Sequence, residues 1–218
     1  MGQRLLNTYA WLGPLLLTPL SLWLWWHRQP GPLALVAWGV PIAWAYLVPA
    51  VGTNLLKVWE LRGPHRWGRF RPYHGFVFGS ATSLLSALVL PLELPHPLLT
   101  GLVLACVLGW INLIYDLKAL QLGILRVYNQ PWAEGRGHEA VVMDYAPWFF
   151  GGFGFSFGLA LACLQRCSSG WQDLPLVFLG TLALTVVVPV GGYMQCSRRR
   201  HGHWGIRPIG RLDATPSD

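Results

Sequence analysis

Four of the nine acidic residues, Asp116, Glu134, Glu139 and Asp144, fall within one stretch of the chain, Asn112 to Pro147. Lys118, Arg126, Asn129, Arg136, His138 and the phenols Tyr115, Tyr128 and Tyr145 stand among them. Carboxylates and a histidine beside cationic groups suit acid–base work: one group moves a proton while a positioned arginine holds an anion. Asp116, His138, Glu139 and Asp144 are the candidate catalytic residues. Asn112 and Asp116 are four apart and share a helical face. An ionisable group at the exit of an apolar helix is a functional candidate by default, because an unpaired charge in lipid is costly.

Two earlier groups join this set. Asn54, Lys57 and Glu60 recur every three residues at the end of an apolar run, where Lys57 and Glu60 would pair on one helical turn. Arg69, Arg71 and His74 belong to RGPHRWGRFRPYH, Arg62 to His74, in which arginines alternate with Trp67, Phe70 and Tyr73. Arginine among aromatics fits a surface that meets headgroups or phosphorylated lipid. With Asn112, Tyr115, Lys118, Arg126, Asn129 and Tyr145, these are the candidate substrate-binding residues.

Familiar signatures are missing. The sequence holds no H-E-x-x-H, no G-x-S-x-G elbow and no P-loop. Its four cysteines form no C-x-x-C; Cys163 and Cys167 could share a helix face. No metal site is expected, and no cofactor is named by the residues. His201 and His203, beside Trp204, read as part of a mobile basic tail.

The elements that would position these groups are membrane spans. Charged residues make up 11% of the chain and hydrophobic ones 53%, against roughly 25% charged in a soluble domain. That leaves too little polar surface for a globule in water. The expected fold is all-α and polytopic, with about six transmembrane helices. They run from Tyr9 to Trp26, from Pro32 to at least Val51 and as far as Leu61, from Gly75 to Leu92, from Leu98 with a break near Asp116, from Phe149 to Leu164, and from Leu174 to Cys196. Leu117 to Tyr128 alternates apolar and polar residues as an interfacial helix would, and Asn129 to Asp144 reads as a loop. Gly75, Gly79, Ser83 and Ala87, and again Gly154, Gly158 and Ala162, recur every four residues, a spacing that lets helices approach closely; the second set is expected to pack on the third span. Residues 1–197 form one transmembrane domain with a polar cytoplasmic-side loop at 116–146, and 198–218 a basic, partly disordered cytoplasmic tail.

The net charge of +7 does not imply nucleic acid, because Lys and Arg lie between and after apolar runs, where orientation signals belong. Their bias puts both termini in the cytoplasm, in a plasma or inner membrane, and gathers the three polar segments on one side. The expectation is an integral membrane enzyme acting by acid–base chemistry on a lipid or isoprenoid at the cytoplasmic face. Alternatives are a small-solute transporter or channel, or a non-catalytic subunit of a membrane complex. Expected partners are membrane lipids, a second copy or a partner membrane subunit.

Overall fold

The structure, a computed structural model, describes residues 8, 11–63, 65–167 and 170–210. Tyr9, where the first span is expected to begin, residues 168–169 and the end of the tail, 211–218, lie outside them. The described chain is mostly helical. In order it forms α1 (Thr18–Arg28), α2 (Pro32–Ala50), β1 (Trp59–Leu61), α3 (Pro72–Val89), α4 (Pro97–Gln121), β2 (Leu125–Val127), α5 (Gln130–Ala133), α6 (His138–Ala146), α7 (Gly152–Cys167) and α8 (Leu174–His201). Wider π turns at Gly13–Leu17, Val51–Leu55 and Pro147–Gly151 extend α1, α2 and α6. Each lies at or just after a proline: Pro14, Pro49 or Pro147. Proline lacks an N–H and crowds the carbonyl four residues back, and a locally wider turn accommodates both defects without ending the helix.

Four helical segments are long and apolar enough to cross a membrane: Pro32–Leu55, Pro97–Gln121, His138–Cys167 and Trp171–His201. The last has its apolar side chains largely outward, with Leu176, Leu179 and Val187 exposed, as a lipid-facing helix requires. α1 is short, and α3 carries Ser80, Thr82, Ser83 and Ser86 buried along its length. Ser83 Oγ donates to Ala37 O at 3.1 Å and Ser86 Oγ to Thr82 O at 2.8 Å, while Ser80 Oγ meets the Thr18 hydroxyl at 2.7 Å.

Small residues set the closest approaches. A Cβ added at Gly79 would lie 2.5 Å from Ile42 Cα, so α3 lies directly on α2. The second small-residue set departs from expectation. Gly154 and Gly158 meet the backbones of Leu104 and Thr100, so α7 packs on α4 rather than on the third span. The Trp44 and Phe153 rings lie 5.0 Å apart, tilted by 55°, and Trp44 Nε1 donates to Thr185 O at 2.8 Å, joining α2, α7 and α8.

Several sequence-derived boundaries are corrected. The second span ends at Leu55 rather than near Leu61, and Lys57 follows in a left-handed conformation, φ 58°. The fourth span does not break near Asp116 but runs on to Gln121. The interfacial helix expected over Leu117–Tyr128 is that helix end followed by β2, which pairs antiparallel with β1 in the register Trp59–Val127, Glu60–Arg126 and Leu61–Leu125. Asn129–Asp144 is not a loop: it contains α5 and most of α6. The fifth span therefore starts at His138, because Gly137 precedes the first turn and Glu139 stands within it, where a negative charge complements the helix dipole. Cys163 and Cys167 are both exposed free thiols.

Candidate functional site

The β1–β2 pairing brings the α2–α3 connection against the α4–α6 connection, and the chain after α8 joins them: Ile209 N donates to Tyr128 O at 3.0 Å. Three segments distant in sequence thus meet at one end of the bundle.

Beneath them lies a cavity of about 90 Å³. Its walls are aromatic and aliphatic, including Trp44, Phe70, Phe78, Phe149 and Phe150, with Asp116, Tyr115, Tyr145 and His74 among them. Asp116 is 8% exposed, and its carboxylate accepts a hydrogen bond from the Tyr145 hydroxyl at 2.7 Å. Continuity of α4 places Asp116 here. One turn earlier Asn112, also buried, donates to Leu108 O at 2.9 Å, so it serves its own helix.

A second cavity, of about 170 Å³, lies on the far side of Trp59, Tyr145 and Phe149, which line both. It is closed by Val186, Val190 and Tyr193 of α8 and by Gly205 and Ile206 of the returning chain. Trp59 stands against Gly52, where an added Cβ would lie 2.3 Å from the indole; only glycine allows the ring so near the helix.

Asp144 belongs to a separate network. Its Oδ2 accepts from Asn129 Nδ2 at 3.1 Å, and its Oδ1 lies 2.8 Å from His201 Nε2. Asn129 also donates to Val141 O and accepts from Trp132 N at the start of α5. His201 is the residue that sequence reasoning missed, having assigned it to a mobile tail. It ends α8 and is held in place, with Arg198 over the Trp204 ring at 4.4 Å beside it. The triple arginine before it, which continues α8 beyond the apolar run, is the signal that could have extended that helix to the histidine.

The remaining candidates are dispersed. His138 and Glu139 are exposed at the start of α6 and share no hydrogen bond with the Asp116 or Asp144 network among the described residues. Lys57 is exposed and does not pair with Glu60; once the helix has ended they no longer share a turn. Glu60 instead accepts from the Tyr128 hydroxyl at 2.7 Å, across from Arg126 in the sheet. Burial and then Glu60 hold that hydroxyl above the usual phenol range, so it stays the donor. Lys118 is exposed and reaches Gln121 at 3.1 Å. Asn54 organises the arginine loop: it donates to Trp67 O at 3.1 Å and accepts from Arg69 N at 2.7 Å. Arg71, 6% exposed, occupies the N-cap position of α3 without a side-chain capping bond, and His74 one turn on reaches the cavity wall. Among the described residues no three His, Cys, Asp or Glu side chains are grouped to hold a metal ion.

Compared with known proteins, the chain matches no family model, no curated protein and no solved structure.

Proposed function

We propose that the chain is an integral membrane enzyme that works on a lipid or isoprenoid, with Asp116 and Tyr145 as its proton-handling pair. The observation that carries this reading is the 2.7 Å bond between them in the wall of an otherwise apolar cavity. A buried carboxylate lowers stability unless it is compensated, and an aliphatic side chain would fill the same space without that cost. In a site from which water is largely excluded, a carboxylate held by a phenol can give or take a proton at a bound substrate.

The lining fits the apolar part of such a substrate. A cavity of ~150 Å³ takes a benzene-sized molecule, so the two chambers suit a terminal segment of a chain rather than a whole lipid. On this reading α1 and α3 complete a six-span bundle, both termini are cytoplasmic by the distribution of Lys and Arg, and the site lies at the inner rim of a plasma or inner membrane. Partners are then membrane lipids and the lipidic substrate. Both chambers lie toward the end where the connections meet, which favours work at a membrane boundary over a carrier's midplane site.

The test is a lipid profile. Cells lacking the chain are compared with cells expressing the wild type, Asp116→Asn or Tyr145→Phe, with membrane insertion confirmed for each. The expected result is that Asp116→Asn leaves the null profile unchanged and Tyr145→Phe restores it only weakly. Full restoration by Asp116→Asn overturns the assignment.

A further inference from the structure

We infer that the arginine loop between β1 and α3 is a binding site for a phosphate group, placed so that an apolar chain esterified to it meets the Asp116 cavity. This rests on the reading above and narrows it, to a phosphate ester of a long apolar chain.

The loop is built rather than merely basic. Asn54 clamps it from the end of α2, Trp67 and Phe70 exchange backbone hydrogen bonds of 3.0 and 3.1 Å, and Gly68 turns in the left-handed region at φ 62°. An arginine serving only as an orientation signal needs no such frame and stays in solvent. Arg71 does not: it is 6% exposed. Its Nη1 donates to Gly68 O and Phe70 O, both at 3.3 Å, while among the described residues its buried Nε has no acceptor, and neither does the buried Nη1 of Arg69. Buried donors are nearly always satisfied, so two orphaned guanidinium nitrogens call for an acceptor.

Among the described residues no carboxylate pairs with Arg62, Arg66, Arg69 or Arg71, and Glu60, the acid nearest in sequence, is held by Tyr128. Burial and then the neighbouring Arg66 lower the proton affinity of Arg71, outweighing the opposing effects of Tyr73 and Glu60. A phosphate would satisfy the free N–H groups with charge-assisted bonds and profit from the start of α3 at Pro72. Phe70 and His74, on either side of Arg71 in the chain, both line the Asp116 cavity. Arg71 is not itself in that wall, but its chain neighbours put the loop against it, so a phosphate at the loop would lie close to the space its apolar chain would occupy.

The experiment uses the full chain in nanodiscs of phosphatidylcholine doped with phosphatidate, released for native mass spectrometry. The wild type is expected to retain phosphatidate about tenfold over its share of the bilayer. Arg71→Met and, at the loop edge where folding is less at risk, Arg69→Gln should lose that enrichment, and Arg71→Lys should keep part of it. Displacement of phosphatidate by inorganic phosphate identifies the phosphate group as the recognised element. If inorganic phosphate raises the wild-type unfolding temperature, and that of Arg69→Gln less, while phosphatidate is not enriched, the site takes a soluble phosphate ester and its link to the cavity fails. Equal retention by the wild type and every arginine variant, without phosphate stabilisation, overturns the site. Asp116→Asn should retain phosphatidate normally while failing the lipid-profile test, so a failed anion site and a failed catalytic assignment give different results.

Discussion

His201 and Asp144 stand 57 residues apart in the chain and 2.8 Å apart in space. The contact ties the last turn of α8 to α6, and Asn129 holds the other carboxylate oxygen. The pair is almost dry, with side-chain exposures of 12% and 5%.

Removing one partner of such a pair should cost more than removing both. His201→Ala is expected to lower stability by about 3 kcal/mol, because it leaves a buried carboxylate short of a donor. His201→Ala combined with Asp144→Leu should recover part of that loss. Unfolding in mixed detergent micelles, followed by tryptophan fluorescence, gives both values. Additive losses would mean that the two side chains do not interact.

The Asp116–Tyr145 bond should behave in the same way across α4 and α6. Tyr145→Phe removes the donor and leaves the carboxylate buried, at a cost of about 1–3 kcal/mol. In an Asp116→Asn background the same change should cost less, since the amide supplies its own donors and carries no charge. A double-mutant cycle on unfolding free energies measures the difference.

Two glycine substitutions should move in opposite directions. Gly79→Ala drives a methyl into the α2 backbone, where the added Cβ would lie 2.5 Å from Ile42 Cα, and is expected to cost about 1–3 kcal/mol. Gly180, on the open face of α8, has nothing within 4 Å, so Gly180→Ala should gain about 0.5–1 kcal/mol from helix propensity alone. Thermal unfolding of both variants decides.

His203 gives the molecule an acid sensitivity of known sign. Burial and then His201 lower its proton affinity in the folded chain. The unfolded chain therefore binds more protons, and stability rises with pH across the titration. As pH falls through the ordinary histidine value, about 6.5, the protein should lose stability, and the loss should level off below the depressed folded value. His203→Gln should flatten that part of the stability–pH curve while leaving its upper end in place.

The apolar runs, the shared face of Asn112 and Asp116 and the small-residue spacing of α3 were legible in the sequence, because each rests on residues close together along one helix; that α3 lies on α2 was not. The three-residue strands were not. Trp59–Leu61 and Leu125–Val127 are too short to alternate visibly, and each is defined only by the other. The start of α6 was hidden by Gly135 and Gly137, which read as a loop although the second precedes a helix. Proline at 147 suggested a boundary that the π turn instead carries through. His201 lacked any local cue to Asp144, and only the length of α8 brings them together. The orphaned nitrogens of Arg69 and Arg71 are likewise invisible in a string of letters, which shows the charge but not the missing acceptor.

The two chambers share a wall built from Trp59, Tyr145 and Phe149, with Val48 beside them. Trp59, pressed on Gly52, is the side chain they share most directly with β1. If that ring and the neighbouring rings of Tyr145 and Phe149 part, two short compartments become one longer channel. Trp59 would then act as a ruler, admitting chains up to the partition and rejecting longer ones. Trp59→Ala should shift the acyl or prenyl lengths that co-purify with the protein upward, with the arginine loop still holding the other end.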